Sequence, residues 1–305
     1  MWLFLLSILI LFFPDISYAW GPVTHVKLGL EVLSNPLIPP AIFHLINEFP
    51  HYFLYGNISA DIILWKNKIK YSKHCHNWKV GFEILKNADT EPLKAFAYGY
   101  LSHLSADIIA HNFFIPIEML RNYPYKKGKH IPWEIRYDRW IDGDAWEVLK
   151  KISKQVDPSC DELLKNILVR KFFSFKTNKR IFITFLTLQR LNRWKLLMKR
   201  EKISGETFYY YNLSLYAMKS VLSKGEDSAF VKIDPTGMRV MKKAERLKKE
   251  LKGLRDVLRE VKRKIVLKKL REYQPYLPED CETLLSLAIN SSTLYANSSF
   301  EHLGI

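Results

Sequence analysis

His103, Asp107 and His111 recur at four-residue intervals inside a stretch, 95–114, that carries almost no other ionisable group. Residues at i, i+4 and i+8 lie near one face of an α-helix, so two imidazoles and a carboxylate point the same way. An apolar helix of this kind is buried, and burying three ionisable groups on one face demands partners for them. Converging imidazole nitrogen and carboxylate oxygen is a donor set suited to zinc. A polar stripe satisfied by hydrogen bonds inside a helical bundle is the alternative for a single histidine. Three such residues in one apolar helix favour metal.

The pattern from Pro22 to about Leu222 is helical throughout, with apolar residues at three- and four-residue spacing. Pro22, Pro92 and Pro158 stand where first-turn prolines are tolerated, with Thr90 and Asp157 as nearby caps. Glycine is scarce and hairpin dipeptides are absent, which argues against a β-sandwich or barrel. The expected fold is an all-α, multi-helix bundle with ligands projecting inward.

Residues 1–19 read as a secretory signal: an apolar run too short for a comfortable span, then Ser17 and Ala19 before a cut. Cleavage there leaves Trp20 as the first residue of a secreted or periplasmic protein. No Lys or Arg precedes the apolar run, so a retained membrane anchor is the alternative. Three cysteines are too few for a disulfide-built scaffold; one bridge, Cys160 with Cys281, is a candidate.

The net charge of +16 suggests an anionic partner until it is located. Residues 239–272 hold fifteen Lys or Arg against five Asp or Glu, so most of the excess sits in one segment. Residues 20–222 form the expected main domain, and 223–305 an appendage that opens with a Ser-, Gly-, Asp- and Pro-containing linker, 223–237. Beyond the linker, Val240, Ala244, Leu247, Leu251, Leu254, Leu258, Val261 and Ile265 step by four and three. That is a heptad seam on one long basic helix of some thirty residues, stopped near Pro275. The seam packs on the main domain or another helix with solvated lysines, or the basic face meets anionic lipid or nucleic acid. Aromatic residues are absent from this helix, which disfavours single-stranded nucleic acid.

The remaining metal-binding residue types cluster early in the chain. Trp20-Gly21-Pro22-Val23-Thr24-His25 is followed by Asn57-Ile58-Ser59-Ala60-Asp61, His74-Cys75-His76-Asn77-Trp78, the helix of His103, and His130-Ile131-Pro132-Trp133-Glu134. In that order and spacing the series resembles the zinc-dependent phospholipase C family, which includes bacterial phosphatidylcholine-hydrolysing enzymes and the N-terminal domain of glycosylphosphatidylinositol-specific phospholipase D. The resemblance covers about 20–146.

The resemblance implies an all-helical phosphodiesterase with up to three zinc ions. One ion would be held by Asp61, His76, His103 and Asp107. A second would use His111, His130 and Glu134. A third would take the freed amino group and carbonyl of Trp20 with His25, bridged to the first by Asp107. His76 is preferred over His74 because it directly precedes Asn77-Trp78. His130 and Glu134 cannot both lie in a helix interior, since Pro132 stands between them. His44, His51 and His302 match nothing and read as structural or exposed.

A multi-zinc cluster makes hydroxide available near neutral pH and neutralises a phosphate diester. The implied reaction is phospholipase C hydrolysis of phospholipid headgroups, with Asp61 both ligating zinc and guiding water as a base. A single-strand-specific zinc nuclease is the rival, kept open by Tyr209-Tyr210-Tyr211 and the basic helix; the Asp107-to-His111 spacing sides with the phospholipase. A metal-stabilised module that adheres to membranes without turnover is a third reading. Oligomeric state leaves no trace in the sequence.

Overall fold

Prolines start most of the early helices. Pro22, Pro40, Pro50 and Pro158 each occupy the first helical position, where the missing N–H costs nothing and the fixed φ suits the helix. The computed structural model describes residues 20–63, 71–121, 123, 138, 141, 143–154, 157–168, 175–190, 205–278 and 281. Helices α1 (Pro22–Leu33), α2 (Pro40–Glu48) and α3 (Pro50–Ser59) lead into a 3-10 turn, Ala60–Ile62. After α4 (Trp78–Lys86) comes α5 (Glu91–Ile109), which runs through a π-helical turn, Ala110–Phe114, into α6 (Ile115–Arg121). Helices α7 (Gly143–Lys154), α8 (Pro158–Ile167), α9 (Phe175–Arg190) and α10 (Gly205–Lys224) follow, then α11 (Met238–Lys249) and α12 (Asp256–Arg271). The fold is all-α, with no strand among the described residues. No helix among them is long and apolar enough to cross a membrane.

Side-chain caps define the ends that matter for the site. The Asn77 side chain accepts from Lys79 N at 2.8 Å to start α4, and Thr90 caps α5. Helix α5 is the axis of the bundle, packed against α3, α4 and α10. Its crossing with α3 is unusually close because glycines meet there. A Cβ on Gly99 would lie 1.9 Å from the Phe53 carbonyl oxygen, and one on Gly56 2.1 Å from that of Phe96. Only glycine permits that approach, and it brings the backbone of α3 within reach of side chains on α5.

Two sequence expectations for the C-terminal region are corrected. Residues 223–237 are not a free linker: they form 3-10 turns at Gly225–Asp227 and Ala229–Lys232, with Phe230 and Ile233 buried. Small polar residues mark turns in either setting, and the two apolar side chains decide for packing. The long basic helix is instead a hairpin of α11 and α12. Gly253 sits in the turn at φ +80°, a conformation that L side chains rarely adopt. The seam is followed only as far as Leu251. Val240, Ala244, Leu247 and Leu251 form a second small core with Ile117 and Leu120 of α6, completed from α12 by Val266 and Leu270. Leu258, Val261 and Ile265 face outward.

Candidate metal centre

Helix α1 supplies His25, the 3-10 turn after α3 supplies Asp61, and the loop before α4 supplies His76. His103 and Asp107 come from α5, and His111 from the π-helical turn that follows it. These six side chains meet around the Asp107 carboxylate. Its Oδ2 lies 2.9 Å from His76 Nε2, 3.2 Å from His103 Nε2 and 3.9 Å from His111 Nδ1; its Oδ1 lies 3.2 Å from His25 Nε2. Asp61 Oδ1 stands 3.4 Å from His76 Nε2. Ligand atoms of His25, Asp61 and His103, and those of His76, His103 and Asp107, lie within 4.8 Å of one another in each trio. The Asp61 side chain is 14% exposed and that of Asp107 is fully buried, so the cluster is reached from solvent on the Asp61 side.

Backbone carbonyls behind the cluster set the histidine tautomers. His103 Nδ1 donates to Asn57 O at 2.8 Å, and His111 Nδ1 donates to Pro235 O at 2.6 Å. A carbonyl only accepts, so the proton of each neutral ring sits on Nδ1, and for His103 this turns the Nε2 lone pair toward the cluster. His103 Nε2 then faces His76 Nε2 at 3.1 Å. Asn57 lies within the run that ends at Asp61, but the role of its backbone depends on the glycine crossing. The Pro235 contact belongs to the segment expected to be a linker. Asn112 Nδ2 reinforces it by donating to Asp234 O at 2.9 Å, and Trp78 Nε1 by donating to Ile233 O at 2.8 Å.

Both ring nitrogens of His25 and both oxygens of Asp107 are buried without a well-aligned hydrogen bond, although imidazole nitrogens crowd to 2.9–3.2 Å from that carboxylate. Each unsatisfied buried polar group costs about 1–3 kcal/mol, more when charged. A cation between them removes that cost, and imidazole with carboxylate is zinc's donor chemistry. The residues therefore fit the metal. Burial works to raise the Asp107 pKa, but the nearby imidazoles of His103 and His111 and the contacts with His103 and His25 win and hold it well below the usual carboxylate range. Burial, then the neighbouring His103, presses His25 below the usual imidazole range, which keeps it neutral as a ligand must be.

Trp20 is held by its side chain. Its indole Nε1 donates to Ser214 Oγ at 2.8 Å, and its ring stacks on Phe114 at 4.8 Å. Asp138, which no local pattern singled out, reaches the first turn of α1 and accepts from Thr24 N at 3.0 Å and Thr24 Oγ1 at 2.6 Å. Its target lies 114 residues away in sequence, out of reach of any motif. A Cβ on Gly21 would fall 2.1 Å from this carboxylate. Burial pushes the Asp138 carboxyl up to about 7.

Of the paired candidates, His76 faces the cluster, while His74 Nδ1 accepts from the His76 backbone N–H at 3.0 Å. His130 and Glu134 lie outside the described residues, as do 1–19 and His302. His44 is exposed and His51 half-buried. Cys75, Cys160 and Cys281 are buried thiols, so the candidate Cys160–Cys281 bridge is not made. Of the three consecutive tyrosines, Tyr211 is buried with its hydroxyl donating to Glu31 at 2.8 Å, and Tyr210 packs beside Phe114 and Tyr209.

Comparison with known proteins gives one match. The family described as zinc dependent phospholipase C matches residues 24–176, a span that contains every described member of the cluster. No curated protein and no solved structure matches the chain. With half its length matched and the cluster assembled within that half, the chain belongs to the zinc-dependent phospholipase C family.

Proposed function

We propose that the protein is an exported zinc-dependent phosphodiesterase, acting as a phospholipase C on phospholipid headgroups. The observation that carries this reading is the set of orphaned polar atoms on His25 and Asp107, in a pocket where His76 and His103 also converge. Asp61, His76, His103 and Asp107 would hold one zinc, and His25 with the amino group and carbonyl of a freed Trp20 another, with Asp107 between them. His111 would hold a third with His130 and Glu134. Bound zinc supplies hydroxide near neutral pH and neutralises charge on the phosphate.

The chain's own residues then have distinct tasks. Asp107 stays ionised and sets the spacing of the cluster. Asn57 O and Pro235 O hold protons on Nδ1 of His103 and His111, which fixes both the tautomer and the orientation of each ring. Asp61, the most exposed carboxylate of the group, takes a proton from water as it adds to phosphorus. The bond from phosphorus to the glycerol oxygen breaks opposite; that oxygen takes a proton from solvent, and Asp61 returns its own to solvent, so the protons balance. The products are diacylglycerol and a phosphorylated headgroup.

Export would explain the segment 1–19, since removal before Trp20 frees the amine that an amide-linked Trp20 lacks. The test uses protein beginning at Trp20, measuring bound zinc and the products formed from phosphatidylcholine. Diacylglycerol with phosphocholine supports the reading. Cleavage of single-stranded DNA without lipid hydrolysis assigns the cluster to a nuclease instead. Bound zinc with neither activity leaves the non-catalytic, membrane-adhering reading.

A further inference from the structure

The second helix of the C-terminal hairpin carries its apolar residues on the wrong side for a solvated helix. Val257, Leu258, Val261 and Ile265 are 79%, 60%, 59% and 46% exposed. At about 100° per residue they share one sector of α12, roughly opposite the side on which Val266 and Leu270 are buried. The helix therefore lies flat on the body with a continuous aliphatic stripe outward. Lys264 borders one edge of the stripe, Lys262 and Lys269 the other, and Lys268 stands at its end. Lys262 and Lys269 both pair with Glu250 on the neighbouring turn, which ties that border to the hairpin.

We propose that this stripe is a docking face for an anionic lipid surface, entering the headgroup boundary while the bordering lysines reach lipid phosphates. An aliphatic face bordered by lysines is the pattern of helices that lie in the membrane plane. Charge selects this occupant over the others. Hairpin residues 239–272 hold fifteen Lys or Arg against five Asp or Glu, so two copies meeting face to face would oppose like charges. Nucleic acid would meet the lysines but has no use for an aliphatic stripe without aromatic rings. The hairpin also stands on the candidate centre. Gly237, at the foot of α11, is so close to His111 that a Cβ would lie 2.5 Å from the His111 Cβ, and Gln274, just past α12, donates to Asn112 O at 2.7 Å. Docking through α12 would thus hold the centre at a fixed distance from that surface.

The inference builds on the phospholipid reading, and the experiment separates the two. The protein beginning at Trp20 is compared with a Val257→Ser, Leu258→Ser, Val261→Ser, Ile265→Ser variant. Sedimentation is measured with vesicles of mixed phosphatidylserine and phosphatidylcholine, and with phosphatidylcholine alone. Hydrolysis of a soluble chromogenic phosphodiester is measured without vesicles. The expected result is preferential binding to the anionic vesicles that falls about tenfold or more in the variant, with an unchanged rate on the soluble diester. Stripe-dependent vesicle binding by a protein without diesterase activity supports the docking face and overturns the catalytic reading alone. A Lys264→Glu, Lys268→Glu variant should also lose binding. Wild-type protein that ignores anionic vesicles, or a serine variant that binds them equally, overturns the proposal. A wild-type dimer that the serine variant converts to monomer overturns it in favour of self-association.

Discussion

Around α5, ionisable side chains occupy a fully buried interior; on α12, aliphatic side chains stand in solvent. His25, His103 and Asp107 have no exposed surface, and Val257 keeps 79% of its own. Both arrangements cost stability in the isolated chain, the first through desolvation and the second through unburied apolar area. Each arrangement suits a partner of definite chemistry. The core cluster offers the nitrogen and carboxylate donors that a cation takes, and the hairpin stripe suits the apolar phase proposed above. A local departure from good packing is informative when everything nearby obeys the rules, as the tightly crossed α3 and α5 and the packed Val240–Ala244–Leu247 face do.

Experiments on the core should have the larger effects. Asp107→Ala removes the group on which four histidines converge. We expect loss of more than one zinc by metal analysis and a fall in diester hydrolysis on the order of a thousandfold or more. Wild-type zinc content in that variant would end the contrast, because the buried carboxylate would then be structural. Retaining Ala19, so that the Trp20 nitrogen remains an amide, should lower the rate by up to about a hundredfold, the scale seen when ligand support is lost. Equal zinc content and rates with and without the extra residue would remove Trp20 from the ligand set.

Chelation tests whether the cation offsets the desolvation. At a thousandfold excess over Kd a ligand stabilises by about 4 kcal/mol, so its removal should lower Tm by roughly 8–16 °C at about 2–4 °C per kcal/mol. The metal-free protein should also lose stability on acidification. His25 has a folded pKa below its unfolded one, so its contribution is intact above the unfolded value and is lost as pH falls through the folded value. A metal-free Tm that stays flat or rises from pH 7 to pH 5 contradicts this sign.

Two smaller effects probe the supports. Gly99→Ala should separate α3 from α5, costing about 1–3 kcal/mol by chemical denaturation and weakening the bond from His103 to Asn57 O. Gln274→Ala should cost about 1 kcal/mol by freeing the Asn112 carbonyl, with a modest loss of zinc at the His111 position. An unchanged zinc affinity there would mean that hairpin and centre are neighbours without coupling.

The amino-acid sequence by itself determined the all-α class, the apolar helix that carries His103 and Asp107, the early caps and prolines, and the family to which the chain belongs. These are local patterns: period, cap chemistry and ligand spacing are written within a few turns of chain. Only the tertiary structure decided what stands behind the ligands. The Asn57 carbonyl reaches His103 because two glycines meet across helices, and the Pro235 carbonyl reaches His111 from 124 residues away. The same holds for the hairpin. An uninterrupted heptad reads as one helix, because spacing alone does not reveal that the chain reverses at Gly253. Which face of a helix is buried depends on what packs against it, and for α12 that is decided by α6 and α11 rather than by its own sequence.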